Sequence, residues 1–298
     1  MRGRDPSPEG RRLVRLRPEH WHHLGRMLIQ GRRPALAVYE SIGDGFPLAP
    51  APGWLNLGLW EGPGEEEEAA RAPPRLVEAV AAPLPRGGVI LDVASGLGLQ
   101  DEVIAALVRP RHLIALDLSE TQLRVGRPAL SRAGASPVVG DAVRLPFADR
   151  SVDGVISVEA PFHFASRPAF FTEARRVLRS GGILTTSDVT AERRPRTPVE
   201  WLSGLTLLRF WGLGRHALAS GEQIAAQATA AGLVDVGVEF VGDQVFDPVL
   251  ALAGNRLETA PLPPLVRLTG RLLLRQWGLL WRRGLMDYML LRARVPHS

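Results

Sequence analysis

The sequence predicts an α/β fold. Its 298 residues read as a doubly wound, mostly parallel sheet with an N-terminal extension and an α-helical lid. Three observations carry that expectation. From about residue 86, short apolar runs alternate with helix-like segments, as in repeated strand–helix units. The runs are apolar almost throughout, which suits strands covered on both faces. The first run ends in a glycine turn that leads into a helix.

Each element can be justified in order. Val89-Ile90-Leu91-Asp92-Val93 is the first strand, and Leu99 to Val108 is the helix after the turn. His112–Asp117 is the second strand and Ser136–Gly140 a shorter third. Val152–Val158 and Gly182–Asp188 are the fourth and fifth. Between them, Pro168–Arg179 places Phe171, Ala174, Val177 and Leu178 on one helical face. Two late runs, Leu233–Val241 and Leu285–Leu291, are expected to close the sheet edge as a hairpin-like pair. Thr190–Ala231, rich in Leu and Trp, is the expected lid. Residues 1–75 read as an N-terminal extension that caps the main domain, and 76–298 as that domain with the lid at about 190–231. The acidic run Glu65–Glu68 is expected to open a helix, where carboxylates suit the dipole.

Composition narrows the function. With 45% hydrophobic and 22% charged residues the chain is an ordinary globular one. Cysteine is absent, which excludes a disulfide scaffold, thiolate metal sites and a cysteine nucleophile. No run of about 18 apolar residues suggests a spanning helix, and residues 1–18 lack a signal-peptide core. A cytoplasmic protein is therefore expected. All 36 basic residues are arginine. Nine of them lie within residues 1–33, against three acids there, so the tail holds the basicity and the body is near neutral. A nucleic-acid enzyme more often lines its own cleft with cations, so nucleic acid is disfavoured as a partner.

The turn Ala94-Ser95-Gly96-Leu97-Gly98 suits close approach of backbone to a ligand. Asp117, closing the second strand, can accept both hydroxyls of a ribose. A dinucleotide turn would want a third glycine where Asp101 stands, and a pyrophosphate there would meet a like charge. A zwitterionic amino-acid tail is better tolerated, which favours S-adenosyl-L-methionine over NAD. Taken alone, Asp117 suits a helix N-cap and Asp141 a turn former.

Further motifs follow in order: Gly140-Asp141-Ala142, then Leu145-Pro146-Phe147-Ala148-Asp149, Ser151-Val152-Asp153-Gly154-Val155 and Arg176-Val177-Leu178-Arg179-Ser180-Gly181-Gly182. In these motifs the sequence resembles the class I S-adenosylmethionine-dependent methyltransferases, specifically the small-molecule, natural-product branch. The resemblance covers about residues 54–188, and part of 284–294 looks like the family's last strand. It implies a Rossmann-like methyltransferase fold with S-adenosyl-L-methionine as cofactor. It places Ala94, Gly96 and Gly98 at the methionine part and Asp117 on the ribose. Leu118 would pack on the adenine, with the Asp141 side chain and the Ala142 N–H on its edge. Glu159 would sit at the cofactor–substrate boundary. Asn56-Leu57-Gly58-Leu59-Trp60 looks like the Asn-Tyr-Gly-Tyr-Trp cap of some members, which brings in Trp60. The chain departs at Ala94, where the family has glycine and a negative φ is needed to avoid strain. It also departs at Leu57 and Leu59 for two tyrosines, and at Ser180 for proline.

Methyl transfer needs alignment, exclusion of water and a proton acceptor. His163, in Glu159-Ala160-Pro161-Phe162-His163-Phe164, is the candidate base, with Asp188 expected to orient it. Similar natural-product O-methyltransferases carry a His-His pair here; this chain has Phe162-His163. A packing role between two phenylalanines is the plainer reading of His163. Pyrimidine C5 methylation needs a cysteine. The loop Glu159-Ala160-Pro161-Phe162 is not the Asn/Asp-Pro-Pro-aromatic of nucleobase amino methylation. Pro161–Arg167 lacks the second carboxylate expected for arginine methylation. Trp201, Leu202, Leu205, Leu208, Phe210 and Trp211 are expected to line a pocket for a hydrophobic small-molecule acceptor. Arg267, Arg271 and Arg275, spaced four apart among Leu and Trp, suit a helix in peripheral contact with a membrane, or a solvated face. The expected activity is O-methylation of a hydrophobic small molecule. C- or N-methylation of a lipid, quinone or terpenoid is the alternative, and a non-catalytic cofactor-binding accessory protein a further one.

Overall fold

The computed structural model describes residues 49–297. The arginine-rich stretch 1–33, and the expected extension and cap as far as residue 48, lie outside the described residues.

Alternating faces of the strands build two apolar layers. In β1 (Val89–Val93) Ile90 packs on one side of the sheet and Leu91 and Val93 on the other. In β4 (Val152–Ser157) Val155 and Ile156 divide the same way. Burial on both faces is why these strands read as continuous apolar runs. β1 pairs in parallel with β2 (His112–Asp117) and β4, and β2 with β3 (Ala135–Val139). β5 (Leu178–Thr190) is parallel to β4 and starts four residues earlier than expected, because Leu178 already pairs with Val152. The seven-stranded order is β3-β2-β1-β4-β5-β7-β6. β7 (Asp287–Arg294) runs antiparallel to both β5 and β6 (Val234–Phe240). The late runs thus pair as expected. The order reverses between β1 and β4, which opens a crevice at the carboxyl ends of the strands.

Helices cover both faces. α1 (Ala72–Ala81) and α2 (Leu99–Val108) bury Leu76, Val77, Val80 and Ile104 against one side. α3 (Glu120–Val125) is capped by the Ser119 hydroxyl, and α4 (Arg127–Ala133) follows. On the other side α5 (Arg167–Val177) buries Phe170, Phe171, Ala174 and Val177. The acidic run does not open a helix. The Glu68 carboxylate instead accepts the Glu61 and Gly62 N–H groups, at 2.7 and 2.9 Å, and pairs with Arg75. The helix starts only at Ala72.

After β5 come α6 (Pro198–Phe210), α7 (Gly221–Ala230), and, between β6 and β7, α8 (Gly242–Thr259) and α9 (Pro264–Arg282). α8 has Pro248 in its interior. Proline has no N–H for the carbonyl four residues back, that of Gln244. That carbonyl accepts the Trp60 N–H at 2.9 Å instead, so the segment before α1 docks on α8. Among the described residues no helix is long and apolar enough to cross a membrane.

Candidate active site

The turn after β1 is bent by backbone in the left-handed region. Ala94, Gly96 and Gly98 have φ of 66°, 59° and 75°. Only Ala94 pays sterically for this, at about 1–2 kcal/mol. The N–H groups of Ala94 and Ser95 both donate to the Leu116 carbonyl, at 2.7 and 3.0 Å. Gly96 N–H donates to Asp117 Oδ2 at 2.9 Å, while Oδ1 accepts from Ser119 N–H at 2.8 Å. The Asp117 carboxylate therefore latches the turn to the start of α3. Burial pushes this carboxyl up; the N–H groups of Ser119 and Gly96 pull it back.

A cavity of about 450 Å³ opens where these strands end. Ala94, Gly96, Asp117 and Leu118 line it. So do Asp141 and Ala142 after β3, and Glu159 and His163 after β4. Eight of the expected site residues thus share one cavity. Leu118 is 47% exposed, an apolar surface available to a flat ring. Asp141 Oδ1 accepts the Val143 N–H at 3.1 Å, which fixes the loop.

Three expected residues are elsewhere. Trp60 does not face the cavity. Its ring is buried with Ala69, Ala72 and Leu252, and its Nε1–H donates to the Leu57 carbonyl at 2.9 Å. Trp54, Leu55 and Asn56 line the cavity instead. Gly98 turns toward α4: a Cβ there would lie 2.6 Å from Leu130 Cγ, so the glycine serves close packing. Asp188 is paired with Arg167, whose Nε and Nη2 reach its two oxygens at 2.8 and 3.0 Å. Both side chains are fully buried. A buried guanidinium binds a carboxylate with two charge-assisted bonds, which outcompetes a neutral imidazole. Arg167 Nη1 also donates to the His216 and Ala217 carbonyls, tying the end of β5 to the segment after α6.

The loop Pro161–His163 is a single tight turn, with Phe162 and His163 rings 4.1 Å apart. Burial, then the charges of Arg167 and His216, push the His163 imidazole down to about 3. It is neutral at neutral pH. Glu159 has φ 53°, and its Oε2 accepts the Leu57 N–H at 2.8 Å and the Tyr288 hydroxyl at 2.9 Å. Ser187 Oγ lies 3.0 Å from the same phenol oxygen and accepts the Glu159 N–H at 2.9 Å. Burial raises the Glu159 carboxyl to about 8.

Sequence reasoning missed Tyr288, Ser187 and Arg167. Tyr288 did leave a signal. It is one of two tyrosines in the chain, set in an apolar run where a buried phenol needs a partner. Asp101 was placed wrongly too. It is fully buried against Asp92 and does not face the crevice.

The lid residues also differ from expectation. Trp201, Leu202 and Leu205 on α6 point outward. Gly212, Leu213 and His216, just after α6, line the cavity. Among the described residues, no three His, Asp or Glu side chains are placed to hold a metal ion.

The donor set fits S-adenosyl-L-methionine. A carboxylate fixed by backbone N–H groups keeps further lone pairs for hydroxyls. The turn is a backbone cradle that disfavours a side chain at Gly96, whose φ is left-handed and whose Cβ would press on Leu55 Cδ1 at 3.0 Å.

Residues 91–186 match the family model described as "Methyltransferase domain". The chain is 29% identical over 244 residues to erythromycin 3''-O-methyltransferase of Saccharopolyspora erythraea, covering 77% of each. It is 30% identical over 184 residues to demethylmenaquinone methyltransferase of Thermobifida fusca, which is 61% of this chain and 68% of that one. Geranyl diphosphate C-methyltransferase of Streptomyces coelicolor, solved with S-adenosyl-L-homocysteine, shares the fold. Its TM-score is 0.64 at 16% identity, over 80% of this chain and 90% of that one. The sheet order that opens the crevice and these relatives agree: the chain belongs to the S-adenosylmethionine-dependent methyltransferases.

Proposed function

We propose that the chain transfers the methyl group to a hydroxyl oxygen of a hydrophobic small molecule. One observation carries this reading. The cavity that holds the glycine turn and Asp117 is also lined by Phe164, Ala165 and Leu213, an apolar wall beside the imidazoles of His163 and His216, of which His163 is the buried one. In this reading Ala94 and Gly96 face the methionine part and Asp117 holds the ribose. Leu118, Asp141 and Ala142 hold the adenine, and Glu159 marks the boundary. When bound, S-adenosyl-L-methionine supplies a methyl group already activated by its sulfonium.

His163 accepts the hydroxyl proton. It is neutral, as a proton acceptor must be, but burial makes it a weak base. A weak base suffices, because the hydroxyl proton becomes strongly acidic only as the carbon–oxygen bond forms. The expected 190–231 lid contributes through Gly212, Leu213 and His216 rather than through α6 itself. The test is a methyl-transfer screen over hydrophobic alcohols and phenols, with mass-spectrometric identification of product. His163→Ala is expected to lower kcat by about 10²–10⁴-fold, with unchanged S-adenosyl-L-homocysteine affinity. Unchanged turnover removes the assignment.

A second reading, methylation at carbon of a lipid, quinone or terpenoid, is favoured by Glu159. Its carboxyl lines the same cavity and holds a proton more strongly than His163 does. In that case Glu159→Gln abolishes turnover and His163→Ala does not.

A further inference from the structure

The described surface concentrates its large exposed apolar side chains on two helices. Of thirteen such residues, seven lie on α6 and α9. On α6 they are Val199, Trp201, Leu202 and Leu205; Trp201 is 56% and Leu202 63% exposed. On α9 they are Leu265, Leu268 and Leu272, and Leu265 is 74% exposed. α9 packs against both α6 and α8, and its inward face carries Trp277, Gly278 and Leu280.

Helical periodicity sets the three leucines on one line and Arg271, Arg275 and Arg282 on the line beside it. Arg275 and Arg282 are exposed. Arg271 leans on Glu258 of α8, and Arg267 Nη2 donates to the Ala260 carbonyl at 3.0 Å. The single acid within α6 and α9 is Glu200, which is buried and held by Arg193 and Arg283. The outward face is therefore apolar and cationic, with its carboxylate neutralised inside.

We propose that this two-helix face seats on an anionic lipid surface. Leucine and tryptophan side chains enter the acyl boundary while arginines extend to the phosphates. Charge decides between occupants. A second copy would set arginines against arginines. Residues 1–33, with nine arginines against three acids, have the same sign and complement the face no better. An anionic bilayer offers both the apolar phase and the counter-charge. α6 runs directly into Gly212 and Leu213 on the cavity wall, so the lipid-facing side adjoins the methyl-transfer chamber. Delivery of an acceptor from lipid rests on the hydrophobic-acceptor reading above; the membrane contact itself does not.

The test is co-sedimentation of the full chain with vesicles of phosphatidylcholine and phosphatidylglycerol in equal parts, and with phosphatidylcholine alone. The wild type is expected to bind the mixed vesicles, less so at high salt, and not the neutral ones. Leu265→Ser/Leu268→Ser/Leu272→Ser and, separately, Arg275→Glu/Arg282→Glu are each expected to weaken binding about tenfold or more. S-adenosyl-L-homocysteine affinity by calorimetry should be unchanged in both. If the leucine variant fails to fold, Trp201→Ser/Leu202→Ser on α6 carries the same expectation. Three results overturn the proposal. One is no wild-type binding to mixed vesicles. Another is full binding by the leucine variant with loss on Arg11→Glu/Arg12→Glu, which assigns binding to the arginine-rich segment. The last is a wild-type dimer that the leucine variant converts to monomer without any vesicle association. Failure of every acceptor in a methyl-transfer screen would leave the vesicle result standing.

Discussion

Replacing Asp101 by Asn should change how stability depends on pH, and the structure sets the size of the effect. Asp101 and Asp92 are both fully buried behind the glycine turn. Gln100 Nε2 donates to Asp92 Oδ2 at 2.6 Å. Burial raises both carboxyls; Asp92 pushes Asp101 further up, while the hydrogen bonds from Gln100 and from the protonated Asp101 pull Asp92 back. Asp92 reaches about 7 and Asp101 goes well above its ordinary 3.8. In the unfolded chain both lose their protons near pH ~4. Above that pH the folded protein holds protons that the unfolded one has released. Stability must then fall as pH rises, by about 1.4 kcal/mol per pH unit for each such group, until the folded pKa is passed. Asn cannot titrate, yet its amide can still donate to Asp92. Above pH ~4 the Asp101→Asn protein should therefore gain steadily on the wild type, by about 1.4 kcal/mol per pH unit for as long as the folded Asp101 keeps its proton, and at pH ~4 almost nothing. Urea unfolding followed by tryptophan fluorescence at several pH values measures this directly. Parallel profiles for the two proteins, or a variant that is less stable at neutral pH, would refute the reasoning.

Other substitutions probe the same framework. Ala94→Gly removes left-handed strain of about 1–2 kcal/mol against an entropic cost of about 0.4–1, so Tm should rise by about 2 °C; a fall would show that the turn is not strained. Arg167→Ala or Asp188→Ala should each cost about 3–5 kcal/mol by stranding a buried charge. Arg167→Met/Asp188→Leu should cost less than either, and a double-mutant cycle that returns no coupling would contradict the pairing. Tyr288→Phe removes a donor that pulls the Glu159 carboxyl down. The limb of the pH–rate profile near pH 8, if Glu159 accepts the proton, should then move upward; an unmoved limb assigns it to another group.

What could be read from the chain depended on how locally each feature is determined. β1, β2 and β4 were legible because strands covered on both faces must be apolar at nearly every position, whatever their partners, whereas the edge strands β3 and β6 are only partly covered and read as shorter or later runs. α2 was legible from the turn that precedes it. α8 was not: Pro248 argues against a helix interior, and only Trp60, 184 positions before Gln244, supplies the donor that the proline lacks. The same division holds in the cavity. Asp117 and Asp141 stand where strands end, so their placement follows from strand position alone. The partners of Asp188 and Glu159 do not. Asp188 meets Arg167 across 21 residues, and Glu159 meets Tyr288 across 129, because β7 inserts between β5 and β6 and brings its phenol beside Ser187. Two acids at adjacent strand ends could equally have served His163. Which cation or donor reaches them is settled by tertiary burial, where the group that most needs compensation, the guanidinium of Arg167, takes the carboxylate first.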